Sequence, residues 1–312
     1  MLHLGLDIGG TKMEAVLLDN HGNIRFRERR PTWKADYPGF LHHLVELITH
    51  VKAGQPGEVT LGIGLPGAID PGTGLIKNCN CLVLNGENLA QDLALRLGQP
   101  VYLANDADCF TLSEATDGAG QGYGTVFGVI VGTGCGGGVV VNGQLLSGPN
   151  AIAGEWGHNP LPGWRAEKDG PVQHCYCQHE NCIESYISGT GFSHRFNQQQ
   201  GSLMSAESII AAADAGDALA LAHYTHFIDA FARSLAGVIN TLDPHVIVLG
   251  GGLSRVASLY RDLPAAVEKY IFSPACRTAI VKAEFGDASG VRGAAWLPLM
   301  RSTRASNAIP TA

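Results

Sequence analysis

The first hundred residues alternate short apolar runs with polar turns. Apolar runs at residues 3–8 and 13–19 are separated by Gly9 and Gly10, and they predict two strands joined by a tight turn. Residues 20–22 turn the chain again into a run at 24–30, where polar and apolar residues alternate as on a strand with one solvated face. The pattern predicts an antiparallel meander before any helix.

Helical spacing begins after this meander. Phe40, Leu44, Leu47 and Val51 recur every three or four positions and predict a helix over residues 37–52. The other elements predicted in this half are two buried strands with a helix between them: residues 59–65, 89–97 and 101–104.

The second half of the chain repeats this organisation. A β-branched run, a glycine turn and a second β-branched run again predict a hairpin, and helices and a buried strand follow. These elements are residues 125–131, 139–141, 218–242, 245–249 and 289–300. We therefore predict an α/β fold of two mixed-sheet domains around a cleft. The first domain is expected to comprise residues 1–117 plus 288–312, and the second residues 118–287.

Composition and charge narrow the function classes. The 312 residues are 45% hydrophobic and 16% charged, as in globular proteins. A formal net charge of −7 argues against nucleic acid as a partner. Apolar stretches are too short to span a membrane, and Asp7 interrupts the first one too early for a signal peptide. With eight cysteines, three of them close together, we expect metal binding rather than disulfides, and hence a cytoplasmic protein.

The first glycine turn is a candidate phosphate loop. Gly9 and Gly10 allow the backbone N–H groups to approach an anion. Asp7 stands where it could hold Mg²⁺ through water, and Thr11 and Lys12 could reach phosphate oxygens. An ordinary hairpin is the alternative interpretation of this segment.

Two further glycine loops lie in the second half, around residues 132–138 and 250–252. The first contains G-x-G-x-x-G, as do residues 62–67, but no helix follows directly, so neither is a dinucleotide fingerprint. The contacts expected for a nucleotide here are Thr133, Gly134, Gly251 and Gly252. Three glycine loops in this order resemble the sugar kinase, hexokinase and actin-like ATPase superfamily.

A carboxylate follows the strand at residues 101–104. Asp106 falls in the first turn of a predicted helix, whose positive end favours an ionised carboxylate. Such a group can accept a proton from a sugar hydroxyl as its oxygen attacks phosphorus. We predict Asp106 as this base and Asn105 as a sugar contact. Simple capping by Asn105 is the alternative, and Asp108 is a rival base.

Residues 158–182 contain a candidate zinc site. His158, Cys175, Cys177 and Cys182 would form a closed Cys₃His site with a structural role. Alternatives are three free thiols, or a fourth ligand supplied by His174 or His179. Two carboxylates, Glu155 and Glu184, lie on either side in the sequence and are candidate acceptors for sugar hydroxyls. On surface statistics alone, both would be solvated.

Taken together, these segments resemble the ROK family (repressor, open reading frame, kinase) over essentially the whole chain. The matching residues are 7–12, 105–109, 132–134, 154–158, Cys175, Tyr176, Cys177, Cys182 and Glu184. The resemblance implies an actin-like ATPase (ribonuclease H-like) fold and an ATP- and Mg²⁺-dependent hexose kinase with structural Zn²⁺. It also implies that Asp106 is the base, that Asn105, Glu155, His158 and Glu184 contact the sugar, and that the protein forms a homodimer.

Within this family the chain looks most similar to bacterial fructokinases and mannokinases, which form 6-phosphates. The similarity lies in residues 77–80, 84–86, 158–162 and 286–293. N-acetylglucosamine kinase and glucokinase of the same family are the alternatives. Sugar selectivity is expected to depend on Gly67, Asn80 and Asn85 together with Glu155. The chain departs from the family motif at Gln178 and Asn181, where glycines are usual.

Three other classes of protein fit the sequence less well. A repressor of this family needs about 60 residues for a helix-turn-helix before the first hairpin, and Asp7 leaves no such room. A non-catalytic sugar sensor should lack a base, and Asp106 argues against it. A chaperone-type ATPase has no reason to carry the cysteine cluster.

Overall fold

A computed structural model describes residues 1–302, with side chains to residue 300. Contacts divide the chain into two units. One comprises residues 1–122, 138–153 and the chain from 287 onward, and the other comprises residues 123–137 and 154–286. This division assigns residues 138–153 to the first unit, whereas the sequence placed them in the second domain. The last ten residues of the predicted first domain lie outside the described part of the chain.

The strands form two five-stranded mixed sheets, as predicted, with orders β3-β2-β1-β4-β7 and β10-β9-β8-β11-β12, and β5 pairs with β6. Their bounds are β1 Leu2–Ile8, β2 Lys12–Asp19, β3 Ile24–Pro31, β4 Val59–Leu65, β5 Ala68–Ile69, β6 Ile76–Lys77, β7 Tyr102–Asn105, β8 Thr125–Val131, β9 Cys135–Val141, β10 Gln144–Leu145, β11 Val246–Gly250 and β12 Ala279–Lys282.

The α-helices of the described residues are α1 Tyr37–Lys52, α2 Leu89–Leu97, α3 Asp106–Asp117, α4 Ala166–Asp169, α5 Glu184–Ile187, α6 Gly189–Gln200, α7 Ala206–Asp214, α8 Ala218–Leu242, α9 Ala257–Val267 and α10 Ser289–Ser302. Every predicted strand and helix is present within a few residues of its predicted bounds. Helices α4, α6 and α7 and strands β5, β6, β10 and β12 were not predicted. None of the helices described is both long and apolar enough to cross a bilayer.

Local signals explain where the first helix begins and which face it buries. Asp36 caps α1 by accepting a hydrogen bond from the N–H of Gly39 at 2.7 Å. The apolar stripe on which the prediction rested is buried: Phe40, Leu44, Leu47 and Val51 are at most 1% exposed. This stripe packs in the same core cluster as β1 and β4.

Helix α10 packs on the first sheet where the strands carry glycines, which have no side chains. Gly5 and Gly62 are partners on the parallel strands β1 and β4. A Cβ on Gly5 would overlap the carbonyl oxygen of Val291, and one on Gly62 would overlap that of Ala294. On the other side of α10, a Cβ on Gly293 would overlap the carbonyl oxygen of Cys109 in α3. Close approach of backbones therefore requires glycine at these positions.

We predict that Gly62→Ala destabilises the first unit. The added methyl group has no space, so α10 must move from the sheet, and overpacking of this kind costs about 1–3 kcal/mol or more. Chemical unfolding of the variant and the wild type measures the difference. Gly148→Ala is the matched control, because it lies in the same unit with nothing within 4 Å of the new Cβ. Equal stability of the two variants would contradict the packing argument.

Candidate functional site

In the first unit, the predicted Mg²⁺-holding residue Asp7 and the predicted base Asp106 lie at the same edge of the sheet. Strands β1, β4 and β7 run parallel, with Asp7 opposite Gly64 and Leu65 opposite Asn105. The carboxyl ends of these strands therefore lie side by side, which is where ligands of open α/β sheets bind. Asp7 comes near the end of β1, and Asp106 directly follows β7.

The junction of β7 and α3 is held by Asn105. Its side-chain oxygen accepts a hydrogen bond from the N–H of Ala107 at 2.8 Å, so it caps α3. Its amide nitrogen donates to the carbonyl oxygen of Gly67 at 3.2 Å, which ties the helix start to the loop after β4. Asn105 therefore caps α3, and its amide also fixes the position of Gly67.

Asp106 and Asp108 face different surroundings. Asp106 is the first residue of α3, and its carboxylate accepts from the N–H of Ala107 at 2.9 Å. Asp108 lies against β9, since a Cβ on Gly138 would come within 3.1 Å of its Oδ1. The two carboxylates therefore have different neighbours.

Burial, followed by the negative charges of Asp106 and Glu14, raises the pKa of Asp7 to about 6. Glu14 is the partner of Asp7 on the antiparallel strand β2 and is held by Arg27 and Arg29. Three carboxylates thus concentrate negative charge at this sheet edge, and a cation bound there would relieve the repulsion. An oxygen donor set of this kind suits Mg²⁺, so Asp7 fits the metal role predicted for it.

In the loop after β1, hydrogen bonds fix the backbone while two polar side chains are exposed to solvent. The N–H of Gly9 donates to the carbonyl oxygen of Lys12 at 2.9 Å, and the hydroxyl of Thr32 donates to that of Gly9 at 2.8 Å. Gly10 has open space around it, and the side chains of Thr11 and Lys12 are exposed. The backbone is fixed by these bonds while the two side chains stay accessible to an anion.

The remaining predicted sugar contacts of this unit lie in the loops after β4 and β6. Asn80 donates its backbone N–H to the carbonyl oxygen of Pro66 at 3.1 Å. Asn85 uses both ends of its amide on the backbone of Cys79, at 2.8 and 3.0 Å. Its side chain therefore braces this loop, a role that residue type alone did not indicate. Gly67 packs tightly there, with Cys79 Cβ 2.8 Å from an added Cβ.

In the second unit, two of the predicted nucleotide loops adjoin each other. Strands β8 and β11 are parallel and end together. Gly251 has φ of +80° and lies against Val131, whose carbonyl oxygen would be 2.6 Å from an added Cβ. The N–H of Gly189, the first residue of α6, donates to the carbonyl oxygen of Gly132 at 2.7 Å. Thr133 and Gly252 remain exposed at this edge.

Glu184 begins α5, and its side chain lies against the loop between β8 and β9. Its Oε2 accepts from the N–H of Cys135 at 2.8 Å, and an added Cβ on Gly134 would be only 2.7 Å from the same oxygen. The glycine therefore makes room for the carboxylate. This contact positions Glu184 through one oxygen, and a side chain this ordered is a better hydrogen-bond acceptor than a mobile one.

Glu155 directly precedes a 3₁₀ turn, Trp156–His158, and His158 is the last residue of that turn. Trp156 is buried and donates its indole N–H to the carbonyl oxygen of Gly136 at 3.1 Å. Gly157 lies against the carbonyl oxygen of Cys135, with no space for a Cβ. The turn is thereby anchored on β9, while the side chain of Glu155 stays exposed.

The four predicted zinc ligands come together in this unit. One donor atom from each of His158, Cys175, Cys177 and Cys182 lies within 4.8 Å of all the others. The Nδ1 atom of His158 is 3.6 Å from Cys175 Sγ, and the sulfurs of Cys177 and Cys182 are 3.5 Å apart. His174 pairs instead with Glu180. Of the described residues, only these four form such a group, so the choice of His158 is favoured.

The thiols differ in acidity. Burial raises the pKa of Cys175 and of Cys182. Burial also opposes ionisation of Cys177, but hydrogen bonds from the His179 N–H and the neighbouring thiols outweigh it and lower its pKa to about 6. One thiolate beside two thiols and an imidazole is a donor set suited to Zn²⁺, which lowers thiol pKa values further on binding.

The two departures from the family motif keep the turn that glycine would make. Gln178 has φ of +72° and Asn181 φ of +55°, both in the left-handed region. Asn181 gains contacts there that the sequence did not reveal. Its Oδ1 accepts from the N–H of Gln173 and from the hydroxyl of Tyr186, each at 2.9 Å. These bonds close the cysteine loop onto α5.

Comparisons with known proteins agree with this arrangement. Residues 3–301 match the model of the ROK family. N-acetyl-D-glucosamine kinase of Haemophilus influenzae (strain 86-028NP) is 40% identical over 309 residues, which cover 96% of this chain and 100% of that protein.

Solved structures agree in fold. The ROK hexokinase from Thermus thermophilus is 29% identical, with a TM-score of 0.86, and the match covers 97% of this chain and 100% of that one. A ROK family glucokinase from Streptomyces griseus, in complex with glucose and AMPPNP, is 25% identical, with a TM-score of 0.73 and the same coverage. The chain therefore belongs to the ROK family, and the predicted actin-like ATPase fold and enzyme class, an ATP-dependent sugar kinase, are confirmed.

Proposed function

We propose that the chain transfers the γ-phosphoryl group of ATP to a hydroxyl of N-acetylglucosamine. The observation that supports a phosphoryl transfer is the placement of Asp106 at the start of α3, close enough to Asp7 to raise its pKa. The sugar rests on the relative at 40% identity, which is named for N-acetyl-D-glucosamine. This replaces fructose and mannose, the main prediction from the sequence, by its stated alternative.

Asp106 is the proposed general base. The positive end of α3 favours its carboxylate form. As the sugar oxygen attacks the γ-phosphorus, the hydroxyl proton passes to Asp106, the bond to the β-phosphate oxygen breaks, and ADP leaves. Asn105, through its cap and its bond to Gly67, fixes the direction in which this carboxylate points.

The proposed nucleotide contacts lie in glycine loops. In the first unit these contacts are Gly9, Gly10, Thr11 and Lys12, and in the second Thr133, Gly134, Gly251 and Gly252. Asp7 would hold Mg²⁺ through water, and that ion, when bound, neutralises charge on the phosphates. The N–H of Gly9 already bonds to the carbonyl oxygen of Lys12, so the chain's own contribution includes the exposed side chains of Thr11, Lys12 and Thr133.

The sugar is proposed to contact Glu155, His158 and Glu184 of the second unit. In the first unit, the proposed sugar contacts are Gly67, Asn80, Asn85 and Asn105. His158, Cys175, Cys177 and Cys182 would hold a structural Zn²⁺ that keeps the loop carrying Glu184 in place. A homodimer remains an expectation from the family resemblance, and a cytoplasmic location remains one from the cysteine pattern.

A coupled ADP-release assay across a panel of hexoses tests this function. We expect the highest kcat/KM with N-acetylglucosamine, and lower values with glucose, mannose and fructose. ADP release that depends on fructose or mannose above all others would contradict the proposed sugar. No ADP release with any of them would favour a non-catalytic sugar sensor.

The same assay on Asp106→Asn assigns the activity to the site. Loss of a positioned base should lower kcat about 10²-fold or more while sugar binding is retained. Asp108→Asn is the matched control and should retain turnover within a few-fold, because Asp108 lies against Gly138. Turnover near the wild-type value in Asp106→Asn would remove Asp106 from this role.

Because the pKa of Asp7 is raised, its ionised carboxylate should lower the stability of the fold near neutral pH even though activity requires it. The folded carboxyl binds its proton more tightly than an unfolded one, so its stabilising effect is present below about pH 4 and is lost as pH rises through about 6. Asp7→Asn should therefore raise stability near pH 7.5 by about 1–3 kcal/mol and have less effect near pH 5. Denaturant unfolding at both pH values measures this. The variant should be inactive, and a destabilised variant at pH 7.5 would contradict the argument.

Metal analysis tests the zinc proposal. We expect about one zinc per chain in the wild type and markedly less in Cys177→Ser, which loses the most acidic thiol of the cluster. Cys276→Ser is the control, since Cys276 is a half-buried thiol remote in sequence from the cluster. A metal-free wild-type chain that stays folded and active after chelation would rule out the structural role.

A further inference from the structure

Tyr176 stands between two cysteines of the cluster, yet its side chain points to solvent. It is 80% exposed. Its hydroxyl lies 3.0 Å from Nε2 of His158, and the two rings meet edge to face with centroids 5.1 Å apart. The contact is made at the surface of the second unit, where little packing holds the phenol in place.

The two nitrogens of His158 have separate partners. Nδ1 faces Cys175 within the cluster, and Nε2 faces Tyr176 on the opposite side of the ring. An imidazole that binds a metal through one nitrogen keeps a proton on the other and donates it to an acceptor. Nε2 is thus the atom left for a substrate hydroxyl, and the hydroxyl of Tyr176 already bonds to it.

The phenol hydroxyl resembles a sugar hydroxyl in its chemistry. A phenol is a neutral O–H at neutral pH and can both donate and accept hydrogen bonds. Tyr176 directly follows Cys175 and contacts His158, so its hydroxyl lies beside a residue proposed to bind sugar in this unit.

We propose that Tyr176 competes with a substrate hydroxyl for Nε2 of His158 and thereby sets the affinity for sugar. The inference rests on the proposed function, because it requires His158 to bind sugar. A sugar hydroxyl that reaches Nε2 replaces the bond to Tyr176, so the exchange reduces affinity by the value of one net hydrogen bond. A residue that served to hold the imidazole for the metal would be fixed by packing, and Tyr176 is exposed.

Tyr176→Phe separates these roles, because it keeps the ring contact and removes only the hydroxyl. We expect the Kd for N-acetylglucosamine, measured by calorimetry without nucleotide, to fall about 2- to 10-fold. KM for the sugar should fall by the same factor, with kcat unchanged. Zinc content should equal that of the wild type.

Tyr123→Phe is the matched control, since Tyr123 is another exposed tyrosine of the same unit, and its Kd should not change. An unchanged or raised Kd in Tyr176→Phe would overturn the inference, as would loss of zinc from that variant.

Whether the wild type binds sugar separates a failure of the proposed function from a failure of the inference about Tyr176. Where neither the wild type nor the variant binds any hexose, both the proposed function and this inference are overturned. Where the wild type binds and the variant binds equally well, only the inference is.

Discussion

The site of the first unit depends on parallel strands that end at the same edge of a sheet. Because β1, β4 and β7 end together, Asp7, the loop carrying Gly67, and Asp106 become neighbours although the chain separates them widely. Burial of Asp7, and after it repulsion from Asp106, raise the pKa of Asp7, which reports the cost of this placement. Stability is thus reduced at the point where a cation and a polyphosphate are proposed to bind, which is a common location for such strain.

Glycine is the second constraint, and it acts in both units through close approach. Gly5 and Gly62 allow α10 to lie directly on the first sheet. In the second unit, Gly134 makes room for the carboxylate of Glu184, and Gly157 lets the turn carrying His158 rest on β9. The high glycine content therefore serves backbone contacts as well as the predicted loops. A methyl group at any of these places would move a helix or a side chain of the site.

The cysteine loop illustrates how side chains compensate for an unusual backbone. Gln178 and Asn181 adopt the left-handed conformation that glycine would adopt more easily. Asn181 offsets this cost with hydrogen bonds to Gln173 and Tyr186 that glycine cannot make. The loop thereby keeps its four donor atoms together with a different sequence. Tyr176 of the same loop is exposed beside His158, where its hydroxyl meets Nε2.

The sequence by itself determined the elements whose signals are local. Helical spacing predicts α1, and turn glycines predict the hairpins, because neighbouring residues decide these features. The predicted cluster of His158 with three cysteines also followed from residue type and spacing. Helices α6 and α7 escaped prediction because each is short and buries only three or four side chains, and packing against α8 supports them. Tertiary structure alone decided that Asp7 faces Asp106, that the amide of Asn85 is used within its own loop, and that Tyr176 meets His158. Such contacts depend on where distant segments end and which way side chains point, and no local pattern encodes either.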